Sequence, residues 1–381
     1  MTWVSGAMLG WTIAVVSVAW LMPRRWQAAA VALLSAVFLA YYAPFSTALL
    51  ALFGATSFFL LEPERVSGWR AAAVAAGIAG FLLWAKLGVD TDLSAELGEP
   101  LVPLGLSYYA LRAIHYVLER YKGTLPPHTF WQYLCYLFFF PILLAGPISP
   151  FPDFQRDLRR RRWDAALFSR GCERILHGYA KIVILGNYLV SIEMAGWIAE
   201  TYPRGSAAGA YLDCLRFGLN LWAQFSGFSD VAIGIGLLLG FHVMENFRAP
   251  FLAPNINEFW RRWHISLTAW CRSYVYLPAV SLTRRPVVGV LLSMIAIGLW
   301  HELSLRFLVW GLYHGAGIAV RNAAFRWRPN ALAKAPAPLA AASRGLSILL
   351  TFNFVICSFA LTKEPTLGSA LGVYQTMLGL R

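Results

Sequence analysis

The chain has 381 residues, 58% of them hydrophobic and only 13% charged, with a mean hydropathy of +0.56. Soluble domains carry about 25% charged residues, so a soluble globular protein is excluded and an all-α polytopic membrane protein is expected. The formal net charge of +13 does not point to nucleic acid, because Lys and Arg collect in short connections between apolar runs, where they set orientation by the positive-inside rule; no nucleic-acid partner is expected.

A spanning helix needs about 20 apolar residues. Such stretches recur along the chain from Ser5 to Met22, Ala28 to Leu61, Ala71 to Trp84, Leu101 to Leu118, Trp131 to Ala145, Ile182 to Ile198, Phe217 to Val243, Pro286 to Trp300, Phe307 to Val320 and Leu346 to Leu361. Several are long enough for two passes, which gives about ten to twelve membrane helices, some tilted or re-entrant. The first has no basic n-region and no small-residue cleavage site, and it reads as a retained span.

Arg24 and Arg25 follow the first span, Arg65 and Arg70 the third, Arg120 and Lys122 the fifth, and these connections are expected to face the cytoplasm. The acidic stretch from Asp90 to Glu99 then lies outside, as does the amino terminus. A full crossing from Trp131 to Ala145 would put Arg156, Arg159, Arg160, Arg161 and Arg162 on the outer face. Pro141 and Pro147 instead suggest a helix that dips in and returns, which keeps the arginines cytoplasmic, as an anchor on anionic lipid.

Between Phe225 and Pro278 the chain becomes rich in polar and aromatic residues. Asp230, with Ser226 and Ser229 in an apolar run, needs a partner at that depth and either orders the bundle interior or faces a reaction cavity. From Asn257 to Leu277, Trp260, Trp263, Trp270, Tyr274 and Tyr276 interleave with Arg261, Arg262 and Arg272 in the pattern of a headgroup-zone helix. Helical spacing would place Trp260, His264 and Thr268 on one face. His264 alone reads equally as a satisfied interfacial histidine.

His301 carries the strongest signal. It stands between an apolar run ending at Trp300 and another beginning at Phe307, and an ionisable group inside a span marks a functional site by default. His314 lies thirteen residues further on, about 20 Å of rise on an unbroken helix, so the two meet only if the helix breaks; a packing hydrogen bond is expected for His314. His301-Glu302 is not a zinc motif, because H-E-x-x-H needs a histidine where Leu305 stands; no metal is expected. His115, His128, His177 and His242 fall near connections and are expected to be solvated or interfacial. The five cysteines are scattered singly, as for buried packing, and only Cys271, seven residues from His264, invites a reading as a nucleophile.

The strings PLGLSYYALRAIHYVLERYKG, FFFPILLAGPISPFPDF, GYAKIVILGNYLV, FSGFSDVAIGIGLLLGF, NINEFWRRWHISLTAWCRSYVYLP and GLWHELSLRFLVWGLYHG resemble, in order from Pro103 to Gly315, the bacterial branch of the membrane-bound O-acyltransferase (MBOAT) family that serves alginate O-acetylation and teichoic-acid D-alanine transfer. The resemblance implies a ring of membrane and re-entrant helices around a thin centre pierced by a tunnel. It makes His301 the catalytic histidine and His264 the second polar position of the motif. Glu302 departs from the glycine usual there. Asn257, Trp260, Trp300, Glu302, Asp230 and Thr268 are the candidates for the substrate tunnel.

The implied activity is transfer of an acyl group, acetyl foremost, to hydroxyls of an exported glycan or envelope polymer, in the bacterial cytoplasmic membrane. No bound cofactor is implied; the co-substrate is a cytoplasmic thioester, acetyl-CoA or an acyl carrier protein, which the arginine cluster could also dock. Membrane lipid and a periplasmic protein that accepts or passes on the acyl group are the further partners. D-alanyl transfer from a carrier protein is the nearest alternative. A transporter or flippase is the alternative of another class, although no inverted repeats are evident. The chain divides on this reading into amino-terminal membrane helices (1–100), a catalytic core (101–325), a linker (326–345) within which the Ala- and Pro-rich stretch Ala331–Ser343 disfavours helix, and a carboxy-terminal membrane helix with its tail (346–381).

Overall fold

A computed structural model describes residues 6–61, 66–87, 106–143, 146–327 and 336–380, and these are entirely helical apart from their connections. The acidic Asp90–Glu99 stretch and Arg65 lie outside the described residues. Among the described residues four helices are long and apolar enough to cross a membrane: Gly68–Leu87, Ala165–Thr201, Ala207–Leu238 and Ala337–Lys363. Met8–Leu21, Pro44–Leu60 and Pro286–His301 are shorter apolar helices.

The chain forms two compact units, residues 1–179 with 228–244, and residues 180–227 with 245–381. The first holds α1 (Gly6–Leu21), α2 (Arg24–Tyr42), α3 (Pro44–Leu60), α4 (Gly68–Leu87), α5 (Leu106–Lys122), α6 (Phe130–Leu137), α7 (Phe140–Leu143) and α8 (Phe151–Arg160). The long apolar run from Ala28 to Leu61 divides into two helices: Pro44 opens α3, and Ala43 before it leaves the helical region (φ −153°, ψ 73°), which proline disfavours for the residue preceding it.

The Trp131–Ala145 run is likewise broken, into α6 and the four-residue α7. Breaking a helix in an apolar setting strands its last carbonyls. Arg112, fully buried on α5, answers this by donating from Nη1 to the Tyr136 carbonyl at 2.9 Å and from Nη2 to the Leu137 carbonyl at 2.7 Å. Its guanidinium lies 5.7 Å over the Tyr136 ring, and Tyr109, Tyr116, Tyr133 and Phe151 are buried in the same unit, with the Tyr116 and Tyr133 ring centres only 3.9 Å apart.

Two expectations change in this unit, those for His115 and for Arg161. His115 is buried, and its Nε2 accepts the Phe151 amide at 3.0 Å, capping the start of α8; it is part of the core. His128 is half-buried and bonds the Tyr116 hydroxyl at 2.8 Å, whereas His177 and His242 are exposed as expected. The arginine cluster is not uniform: Arg156, Arg159, Arg160 and Arg162 are exposed, but Arg161 turns inward, 4.3 Å over the Trp20 ring, and donates to Gln27 and to the Ala19 carbonyl at the end of α1.

Two long helices, α9 (Ala165–Thr201) and α10 (Ala207–Leu238), carry the chain from one unit into the other. The second unit continues with α11 (Ile256–Trp260), α12 (Ile265–Cys271), a π-helical turn (Arg272–Tyr276), α13 (Leu277–Thr283), α14 (Pro286–His301), α15 (Leu305–Trp327), α16 (Ala337–Lys363) and α17 (Leu367–Met377). The stretch Ala331–Ser343 was expected to be non-helical, yet from Ala337 onward it belongs to α16. Its prolines fall just before and within the first turn, where a missing N–H leaves no bond unmade.

Arg112→Met should leave both carbonyls without a donor, at a cost of about 1–3 kcal/mol for each group stranded. Thermal unfolding in detergent, followed by tryptophan fluorescence, should show a clearly lowered midpoint; an unchanged midpoint would mean that solvent already serves these carbonyls.

Candidate active site

His301 is the last residue of α14, and the site is built around the tight turn that follows it. Pro286 starts α14, and the chain leaves the helix at Glu302, whose backbone is extended (φ −153°, ψ 136°). Ser304 then starts α15: its carbonyl accepts Leu308 N–H at 3.0 Å and its hydroxyl accepts Phe307 N–H at 3.4 Å. The helix break that the sequence left open therefore exists, and it sets His301 and His314 on successive helices.

Small residues let α14 and α15 approach closely. A Cβ at Gly311 would stand 2.6 Å from the Met294 carbonyl oxygen, and one at Gly315 would stand 2.9 Å from Leu291 Cδ2. Backbone against backbone leaves no room for a side chain, which fixes the pitch of the hairpin and so the place of its tip.

At that tip His301 is exposed, with its ring 4.8 Å from Trp300, 6.0 Å from Phe307 and 5.9 Å from Trp310. Arg306 steadies the turn. Its Nη2 pairs with Glu302 Oε2 at 2.5 Å, while Nη1 donates to the Thr362 carbonyl at 3.1 Å and to that of Glu364. Glu302 thus supplies a carboxylate that ties the turn after His301 to a guanidinium anchored at the end of α16. Lys363, next along, pairs with Asp213 of α10.

The expectation of one continuous helix from Asn257 to Leu277 is overturned. α11 ends at Trp260, and His264 adopts a left-handed backbone (φ 45°, ψ 53°) before α12 begins. Trp260, His264 and Thr268 consequently do not share a helix face. The His264 ring turns to Phe225, 4.7 Å away, and to Trp300, 6.0 Å away, and the residue is only 2% exposed. The Trp300 ring therefore neighbours both imidazoles. The two histidines that the sequence singled out, one buried and one open, are brought together around a single indole.

Trp260 and Thr268 border a cavity of about 590 Å³, together with Asn257, Arg272, Ser293 and Asn322. Asn257 donates to the Asn322 side chain at 2.6 Å and Thr268 to the Trp263 carbonyl at 3.4 Å. His264, His301, Trp300 and Glu302 are not among its lining residues. Two indoles link cavity and histidine: Trp260 meets Trp310 edge to face at 5.8 Å, and Trp310 meets the His301 ring edge to face at 5.9 Å. Cys271, buried and without a disulfide, also borders the cavity.

Asp230 belongs to the first unit, where it pairs with Arg174 at 2.7 Å, matching the reading in which it orders the bundle interior. His314 makes the packing bond expected of it, 3.0 Å from the Ser358 hydroxyl. Four residues escaped the sequence reading. Trp310 could have been found, four residues from His314 on the same helical face. Asn322 and Asn246, the latter described below, gave no local signal, because their partners lie far away in the chain; Arg306 could have been found as the i+4 partner of Glu302.

The model of the MBOAT, membrane-bound O-acyltransferase family, matches residues 78–361. This chain belongs to that family. Among relatives of this MBOAT chain, the probable alginate O-acetylase AlgI of Pseudomonas aeruginosa is 31% identical over 313 residues, 79% of this chain and 58% of that protein. The peptidoglycan O-acetyltransferase of Helicobacter pylori is 28% identical over 312 residues (74% of this chain, 57% of that protein). The teichoic acid D-alanyltransferase of Streptococcus thermophilus is 28% identical over 280 residues, 67% of each chain. The chain thus spans little more than half the length of the alginate O-acetylases it matches. The family match reaches further in both directions than the Pro103–Gly315 run that carries the resemblance.

Gly311→Ala should push α14 from α15 and displace the turn that carries His301, costing about 1–3 kcal/mol as overpacking does. The lowered midpoint should appear in detergent melts; wild-type stability would show that the hairpin yields without loss.

Proposed function

We propose that this MBOAT chain moves an acyl group, acetyl foremost, from a cytoplasmic thioester to hydroxyls of an exported glycan or envelope polymer, or to a periplasmic relay protein. The observation that carries the reading is the meeting of His264 and His301 on Trp300 within a chain of this family. Neutral imidazole suits the chemistry, since its unperturbed pKa of about 6.5 lets it accept a proton near neutral pH.

In the proposed step the acceptor hydroxyl attacks the thioester carbonyl while His301 takes its proton. The C–O bond forms, the C–S bond breaks, and the proton passes to the departing thiolate. Charge developing on the carbonyl oxygen needs donors in a dry setting, and His264, Asn257 and backbone N–H groups are the candidates. His264 is the one already seated against Trp300. The cavity bordered by Asn257, Trp260 and Thr268 is the proposed approach of the donor arm. Glu302 holds the turn, and Asp230 contributes through the packing of its own unit.

The proposed setting is the bacterial cytoplasmic membrane, with acetyl-CoA or an acyl carrier protein arriving from the cytoplasm. The exposed arginines Arg156, Arg159, Arg160 and Arg162 suit anionic headgroups at that surface. D-alanyl transfer from a carrier-protein thioester is the second reading, favoured by the equal two-thirds coverage shared with the Streptococcus thermophilus D-alanyltransferase.

His301→Ala that inserts and stays monodisperse should lose about 10²–10⁴-fold in acyl product, the range of a lost general base. A variant that keeps its product would sink the assignment, and an acyl-independent flux retained in the variant would favour a transporter. Cys271→Ser should remain active, and incubation of the wild type with donor alone should leave no acyl adduct on Cys271; a trapped adduct would replace direct transfer with a covalent route.

A further inference from the structure

We propose that Asn246 is the positioning residue that allows a histidine to stand at the head of α12 and fixes the His264 imidazole against Trp300; its catalytic consequence rests on the acyl-transfer reading above. The residue before a helix is ordinarily Ser, Thr, Asp or Asn in an extended conformation, whose side chain receives one of the first free N–H groups. His264 does neither: its backbone is left-handed and its side chain caps nothing. For a residue with a Cβ that conformation is strained and persists only when neighbours impose it.

Asn246, eighteen residues upstream and 0% exposed, imposes it. Its carbonyl accepts Ile265 N–H at 2.9 Å. Its side-chain Oδ1 accepts Ser266 N–H at 3.3 Å and the Ser266 hydroxyl at 2.8 Å. Two residues on, Arg248 N–H donates to the Arg262 carbonyl at 2.9 Å. The 246–248 segment thus grips the chain on both sides of His264. The cap has been moved from position 264 to a remote asparagine, which leaves position 264 free for an imidazole pointed at Phe225 and Trp300. Without the Oδ1 acceptor, two buried donors of Ser266 lose their partner, and the chain gains by relaxing toward an ordinary extended cap that swings the ring away.

The test uses the full chain in detergent, with Asn246→Ala and Asn246→Asp, the latter keeping an acceptor oxygen. Carbethoxylation of histidines by diethyl pyrocarbonate, read by mass spectrometry, needs no turnover. In Asn246→Ala, His264 should label several-fold faster than in the wild type while the exposed His301 is unchanged, and Asn246→Asp should restore protection. With acetyl-CoA and alginate oligomer as probes, Asn246→Ala should lower kcat per folded molecule by about tenfold to a hundredfold, as a misplaced group does, at an unchanged KM for acetyl-CoA. In a His264→Ala background the same change should add nothing.

Unchanged labelling of His264, or a full further loss in the double variant, would overturn the proposal. If Asn246→Ala does not fold, Asn246→Ser, whose shorter hydroxyl stops short of Ser266, must show the same labelling change or the proposal fails. If His264→Ala alone turns over like the wild type, the acyl-transfer reading of His264 falls, while the labelling experiment still decides whether Asn246 holds the ring.

Discussion

A helix that stops in an apolar environment must find partners for its last carbonyls or first amides, because little water is there to supply them. The structure is organised by how that demand is met. Arg112 serves the end of α6, Arg161 the end of α1, and Arg306 the end of α16. Trp20 donates to the Leu238 carbonyl where α10 ends, and Asn246 serves the start of α12. Long cationic side chains suit helix carboxy termini for a second reason, since the macrodipole places negative charge there.

Each break that is satisfied in this way frees a backbone position for chemistry. Ending α14 at His301 leaves that imidazole on the last turn, with the next residue already extended. Starting α12 only after His264 gives the second imidazole a direction that no helical residue could have. The turn at Glu302 is held by Arg306, and the bend at His264 is held by Asn246. Two breaks, one locked by the i+4 guanidinium of Arg306 and the other by the remote Asn246, let residues 37 positions apart share one indole.

Glycine contributes the complementary half. Gly311 and Gly315 remove side-chain volume where α14 meets α15, so the hairpin is set by backbone contact and its tip has little freedom. Tryptophan then fills the space above: Trp260, Trp300 and Trp310 surround the histidines with large flat faces that contribute area and few competing hydrogen bonds.

The sequence by itself determined that the chain is a helical membrane protein and marked His301, His264, Trp300 and Trp260, because hydropathy, breaker residues and an ionisable group within an apolar run are local properties. The length of the Ala28–Leu61 run also announced two passes, since a spanning helix needs only about 20 apolar residues. The tertiary structure decided what depends on distant partners. Periodicity extended the Asn257–Leu277 helix straight through His264, because nothing nearby announces that Asn246 has taken over the cap. The same blindness left His115 among the solvated histidines and Arg161 among the surface arginines, although both are buried against partners. A side chain's burial and direction follow from which remote donor or acceptor reaches it, and that is set only once the helices have packed.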